Sequence, residues 1–233
     1  MKSYNLKGLN VSIAMPVKDV IHPQTVIAIM DTLALLREKG IPHKFAFQIG
    51  GTLCGGRNVA VAEFLSGEAN RLAFIDSDLI WKPEEFVRLL AMSTVMDIVL
   101  AAYPTRQEPM GFFIKVPDGQ KIPINEHGCA AIDGMGIGLS VLHRRVLEDL
   151  SAKAPLIRYM TQDGLPWVFK FEVHDGQFRG EDLGFFEDAK KLGYQCWLDP
   201  TIMPGHFGKK IFMAPVPFVK EGDFYRVSNE LHQ

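Results

Sequence analysis

Cysteine is scarce in this 233-residue chain: Cys54, Cys129 and Cys196 stand far apart with no CxxC spacing. Three thiols so placed build neither a zinc knuckle nor a disulfide framework, so a reducing, cytoplasmic setting is expected. Neither sign of charge is in excess. With 25 basic and 27 acidic side chains the net charge is −2. That balance gives no general pull toward nucleic acid or anionic membrane, although a local basic groove fits inside it. No apolar run approaches a membrane span, and Met1 to Asn10 lacks the basic and apolar blocks of a secretion signal. Internal repeats, linkers and low-complexity segments are also missing. A chain of this length with 47% hydrophobic residues can bury one sizeable core, and a single domain over 1–233 is expected.

What is present is most concentrated in Leu72-Ala73-Phe74-Ile75-Asp76-Ser77-Asp78, an apolar run that reads as a buried strand and ends in two carboxylates one residue apart. In open α/β sheets, ligands bind beyond the carboxyl ends of strands, and two hard oxygen ligands there suit a divalent cation holding phosphates. Strand-like and helix-like patterns alternate around this run. Val11 to Met15 reads as a strand, and His22-Pro23 opens a helix that Gly40 ends. Lys44 to Ile49 is a second strand. Gly50-Gly51 and Gly55-Gly56 bracket a loop before Arg57-Asn58, with a helix from Val59 to Leu65. Leu72 to Ile75 is the third strand, Pro83 starts a helix over Glu84 to Met92, and Ile98 to Ala102 is the fourth strand. The alternation predicts an α/β class with a mostly parallel sheet flanked by helices.

Beyond Tyr103 the segments shorten and turn residues multiply, which predicts a smaller irregular or antiparallel half. The division expected is about 1–103, about 104–208, and 209–233 as a loosely packed tail. Within the second half, Gly134 to Gly138 precedes a strand, Leu139 to Leu142. Arg145 to Leu150 reads as a helix, Glu181 to Leu192 as another ended by Gly193, and Gln195 to Leu198 as a last strand. The aromatic, turn-rich stretch 152–178 reads as a loop over the site.

Taken singly, the chemical signals have ordinary structural readings. Asp76 and Asp78 suit a strand-end turn, Glu181-Asp182 suits a dipole-favoured helix start, His206 suits a satisfied structural histidine, and Arg57 suits an exposed helix amino terminus. Their order is more specific. Ala14-Met15-Pro16 follows the first strand, Arg57-Asn58 opens the second helix, and Asp76-Ser77-Asp78 is followed by Trp81 and Pro83. Tyr103-Pro104 precedes Arg106, and the Gly134 to Gly138 loop, Gly180-Glu181-Asp182 and His206 complete the series. In that order the chain resembles the GT-A-fold glycosyltransferases, a Rossmann-like architecture, and within them a compact bacterial and phage-type group related to the family 2 enzymes.

The resemblance implies transfer of a sugar from a nucleoside-diphosphate sugar, a UDP-sugar foremost, to an acceptor hydroxyl, with Mn²⁺ or Mg²⁺ as Lewis acid on the leaving diphosphate. Asp78 and His206 are then the metal ligands, and a histidine favours Mn²⁺. Asp76 joins them or contacts the donor ribose beside Ser77 in the DxD-type pair. Arg57 and Arg106 are implied for donor phosphate or sugar, with Tyr103 nearby. Met15, Pro16 and Val17 are implied for the base pocket, with Lys18 or Asp19 at the base edge. Asp182 is implied as the catalytic base with Glu181 beside it, and Gly136 in the glycine loop lets backbone approach the sugar.

Two other classes compete. A haloacid-dehalogenase-like phosphatase also places two aspartates one apart after a strand, but near the amino terminus and with a small hydroxyl residue following; here the pair comes late and Leu79-Ile80-Trp81 follows. A sugar-nucleotide-binding module without catalysis would lack the metal or base carboxylates. The acceptor stays open among a glycan, a small molecule and hydroxymethylated DNA. For DNA, Lys170, Arg179, Lys209 and Lys210 are candidates for a groove, and Trp167, Phe169 and Phe171 for the walls of a flipped-base pocket; the same aromatics also suit a core.

Overall fold

The computed structural model describes residues 4–49, 51–117, 121–174 and 176–228. The first half runs β1 (Val11–Val17), α1 (Pro23–Glu38), β2 (His43–Ile49), α2 (Leu53–Ser66), β3 (Arg71–Ile75), β4 (Leu79–Ile80), α3 (Pro83–Met92) and β5 (Ile98–Leu100). It continues with β6 (Ile114–Lys115), β7 (Ile122–Pro123), β8 (Ala130–Ile132), β9 (Gly134–Met135), β10 (Leu139–His143) and α4 (Arg144–Ser151). Two hairpins follow, β11 (Leu156–Tyr159) with β12 (Gln162–Pro166), and β13 (Glu172–His174) with β14 (Gln177–Arg179). The chain then forms α5 (Glu181–Lys191), β15 (Cys196–Leu198), β16 (Gly205–Phe207), β17 (Ile211–Phe212), β18 (Phe218–Glu221) and β19 (Phe224–Val227).

A seven-stranded sheet in the order β2-β1-β3-β10-β5-β15-β8 carries the molecule. Five of these strands run one way, and β10 and β8 run against them. The class is therefore α/β with a mostly parallel central sheet and smaller antiparallel sheets, as expected. Strand periodicity explains why β3 is apolar throughout. Leu72 and Phe74 enter a core shared with α2, α4 and α5, while Ala73 and Ile75 enter the opposite core under α1 and α3. Full burial of each large side chain contributes about 1.5–3 kcal/mol. At the end of α1, Gly40 takes φ 64°, the left-handed turn that stops a helix there.

Three expectations are corrected. Helix α2 begins at Leu53, so Gly55 and Gly56 lie inside it and not in a loop; Gly50 falls outside the described residues. The Thr52 hydroxyl accepts the Gly55 N–H at 3.0 Å, and the Tyr159 hydroxyl accepts the Thr52 N–H at 2.8 Å. A Cβ at Gly55 would stand 2.1 Å from the Tyr159 ring, so glycine serves close packing within a helix. Second, none of the described residues among 152–178 lines the cleft beyond the sheet's carboxyl edge, and most of them belong to the two hairpins. Phe169 is fully buried and stacks on Phe185 at 4.8 Å, Trp167 packs on Tyr159, and Phe171 stacks on Phe178 at the surface. Third, the tail is bound into the structure as far as Ser228. Strand β17 pairs with β16 and the β18–β19 hairpin pairs with β7, because Phe212, Val216 and Tyr225 find buried positions.

Candidate functional site

A cleft of about 1180 Å³ opens beyond the carboxyl ends of β1, β3 and β5. Asp76 is the first residue past β3. Because β10 runs antiparallel to β3, its start faces that end, and the Asp76 N–H donates to the Gly138 carbonyl at 2.7 Å. A Cβ on Gly138 would lie 1.9 Å from Asp76 Oδ2, so this position requires glycine. Tyr103, just past β5, donates its hydroxyl to Asp76 Oδ2 at 3.1 Å and accepts the Gly138 N–H at 3.2 Å. Burial, with Asp76 and Asp182 adding to it, holds the Tyr103 hydroxyl well above its ordinary pKa, so it remains a donor.

Asp78 and His206 are 128 residues apart and meet because β16 pairs antiparallel with β4. The Phe207 N–H donates to the Asp78 carbonyl at 2.8 Å, which fixes the register. His206 Nδ1 lies 2.7 Å from the Pro104 carbonyl, a contact that puts the proton on Nδ1. In the neutral ring, Nε2 then turns a lone pair toward Asp78 Oδ2, 3.3 Å away. Two facing lone pairs are the donor set a borderline cation takes, and a histidine oriented through its other nitrogen by a carbonyl is a common ligand arrangement. Arg106 donates to the same Oδ2 at 2.6 Å. Burial opposes ionisation of Asp78, but His206, when both its ring nitrogens carry protons and no metal takes the Nε2 lone pair, and Arg106 outweigh it and hold the carboxyl below its ordinary pKa. Among the described residues, no group of three or more His, Cys, Asp or Glu side chains surrounds one point. A metal here would draw two side-chain ligands and its remaining ones from elsewhere.

Arg57 joins the other acidic groups. Its guanidinium is 1% exposed, and it donates to Asp76 Oδ1 at 3.3 Å, to Glu181 Oε1 at 3.0 Å and, by a very short contact, to Asp182 Oδ1. One cation thus ties the end of β3 to the first turn of α5. Three carboxylates against one guanidinium leave negative charge uncompensated. Burial raises the Asp182 pKa to about 7; Glu181 and Asp76 push the same way, and Arg57 and the Ile137 N–H oppose it. A carboxylate so poised accepts a proton near neutral pH.

Of the residues expected at the site, Pro16, Asp76, Ser77, Asp78, Tyr103, Arg106, Gly136, Glu181, Asp182 and His206 line this cleft. Lys18 and Asp19 do so as well. Met15, Val17 and Arg57 do not. Met15 is fully buried, because strand alternation sends it into the α1–α3 core while Pro16 faces the cleft. Arg57, expected to meet donor phosphate, turns its two terminal nitrogens to carboxylates from beneath the surface. The sequence reading missed Phe112, Phe113, Ile114, Met135 and Leu183, which also line the cleft. Only pairing of β6 with β9, and packing of β9 on α5, brings them there. The basic residues considered for DNA are largely neutralised. Lys170 pairs with Glu172 at 2.8 Å, Arg179 with Glu172, Glu187 and Asp188 at 2.6–3.0 Å, and Lys210 with Glu108 at 2.5 Å.

No protein-family profile and no curated protein matches this sequence. Similarity appears in solved structures. A197 from STIV aligns with 92% of this chain and 100% of its own at 17% identity, with a TM-score of 0.55. GalNAc-T7, crystallised with UDP, GalNAc and Mn²⁺, aligns with 85% of this chain at 9% identity and a TM-score of 0.54; the alignment takes in 43% of the GalNAc-T7 chain. The chain therefore has a GT-A-like fold.

Proposed function

We propose that the protein is a metal-dependent glycosyltransferase that moves a sugar from a nucleoside-diphosphate sugar, a UDP-sugar first, to an acceptor hydroxyl. The observation that carries this reading is the convergence in one cleft of Asp78 from the β3–β4 turn, His206 from β16 and Asp182 from α5, the last tethered by the buried Arg57 of α2, in a GT-A-like fold. Within that fold, the order of motifs supports a family 2-like enzyme of compact bacterial or phage type. Asp78 and His206 fit Mn²⁺ better than Mg²⁺, which favours an all-oxygen shell. Asp78 and His206 would hold the ion, which when bound would supply Lewis-acid stabilisation of the leaving diphosphate.

The chain's own groups do the rest. Pro16 and the residues after it form the wall for the base. Arg106 stands beside Asp78, where a guanidinium fork meets phosphate oxygens. Asp182, with a pKa near neutrality, takes the proton from the acceptor hydroxyl as the bond to the sugar forms, and Arg57 holds it in place. Tyr103 and Gly138 fix Asp76 against the donor. A haloacid-dehalogenase-type nucleophile needs a free carboxylate oxygen; Arg57 and Tyr103 occupy both oxygens of Asp76, which weighs against that chemistry.

Titration calorimetry with UDP, with and without Mn²⁺, tests the reading. Wild type should bind UDP in a metal-dependent manner, and Asp78→Ala should lose the metal-dependent part. Binding of equal strength without metal would remove the proposed role of Asp78 and His206.

A further inference from the structure

The wall of the cleft that carries Asp182 has a composition unlike the wall around Asp78. Strand β6 pairs with β9 in the register Ile114↔Met135 and Lys115↔Gly134, which runs Phe113 alongside Gly136. Gly134 in turn backs onto the first turn of α5, where a Cβ would touch the Leu183 side chain at 3.2 Å. Two ion pairs fix these pieces to α5: Lys115 to Glu187 at 2.9 Å and Lys190 to Asp133 at 2.6 Å. Phe113 lines the cleft yet is 78% exposed, and Leu183 beside Asp182 is 38% exposed. An aromatic face held open beside a carboxylate that activates hydroxyls is built for a ligand with an apolar face and hydroxyl edges.

Charge narrows the ligand further. Glu181 and Asp182 are acidic, and the nearby cations are committed, Lys115 to Glu187 and Arg57 to three carboxylates. A polyanion arriving at this wall meets repulsion without compensating cations.

Resting on the glycosyltransferase reading of the cleft, we infer that this wall is an acceptor subsite for the ring of a neutral sugar, one residue of a glycan, with Phe113 as its stacking platform and Leu183 beside it. Phe113 presents one face to the C–H side of the ring, and Asp182 meets a hydroxyl at its edge. The subsite selects neutral glycans over nucleic acid.

Saturation-transfer NMR with lactose, cellobiose and maltose, recorded in the presence of UDP and Mn²⁺, tests this inference. At least one sugar should bind wild type. Phe113→Ala should weaken it by about tenfold, the scale of a lost aromatic contact, and Phe113→Trp should restore binding. Phe113 is exposed, so the alanine variant is expected to fold. A duplex carrying hydroxymethylated pyrimidines forms the second arm and should not bind at physiological salt. The inference is overturned if no sugar binds, if Phe113→Ala binds as wild type does, or if the duplex binds in preference. Titration of UDP with Mn²⁺ separates the two levels. Metal-dependent UDP binding without a Phe113-dependent sugar signal sinks the subsite alone, whereas a Phe113-dependent sugar signal without UDP binding leaves a neutral-sugar site at Phe113 and removes the transfer reading together with the acceptor role.

Discussion

Replacing Asp182 with asparagine should stabilise the protein above neutral pH while abolishing sugar transfer. In the folded chain Asp182 titrates near 7, against 3.8 as the ordinary value, chiefly because burial and two neighbouring carboxylates disfavour its charge. The sign follows from proton linkage. Between these values the folded state holds a proton that the unfolded chain has released, so wild-type stability falls as pH rises from about 4 to about 7. The full shift corresponds to about 4 kcal/mol, and partial hydration of a side chain 24% exposed reduces it to about 2–4 kcal/mol. Asparagine does not ionise, keeps an oxygen for the Ile137 N–H, and leaves Arg57 paired with Asp76 and Glu181. Urea unfolding at pH 4.5 and pH 8 measures the effect. The two proteins should differ little at the lower pH, and the variant should be the more stable by about 2–4 kcal/mol at the higher. Parallel pH dependences in wild type and variant would show Asp182 ionised throughout, and its assignment as a base poised near neutrality would fail.

Arg57→Met leaves three carboxylates without their shared cation; breaking such a buried set costs about 3–5 kcal/mol, less as pH falls and Asp182 takes up its proton, and thermal melts at pH 5.5 and 8 should show the larger loss at pH 8. Arg57→Lys keeps the charge but not the fork, and should recover part of the stability and little of the activity. Gly138→Ala drives a methyl group into Asp76 and should abolish UDP binding with the overall circular dichroism unchanged; normal binding would show that Asp76 moves aside without consequence. Tyr103→Phe removes the donor to Asp76 and should lower melting stability by about 1–3 kcal/mol, checked by calorimetry.

Much of the first hundred residues was legible because burial on both faces makes a strand apolar end to end, and turn residues mark its limits. Arg71–Ile75, Pro23–Glu38 and Pro83–Met92 fall within a residue or two of where pattern and caps put them. The glycines of α2 misled because a glycine that makes room for Tyr159 looks, in sequence, like one that makes a turn. The hairpins between 152 and 178 are short and two-sided, and the tail strands take their order from pairing with β7 and β16, partners no local pattern announces.

From the sequence alone came the chemistry available: which acids, which imidazole and which guanidinium this polypeptide can bring to bear, and the strand after which the decisive acids fall. The tertiary structure alone decided their pairing. His206 reaches Asp78 only through the β4–β16 register, and Arg57 became a buried tie among three acids where the sequence suggested an open phosphate contact. Residue type and local periodicity act over a few neighbours, whereas distances between side chains 125 positions apart are set by how sheets and helices pack.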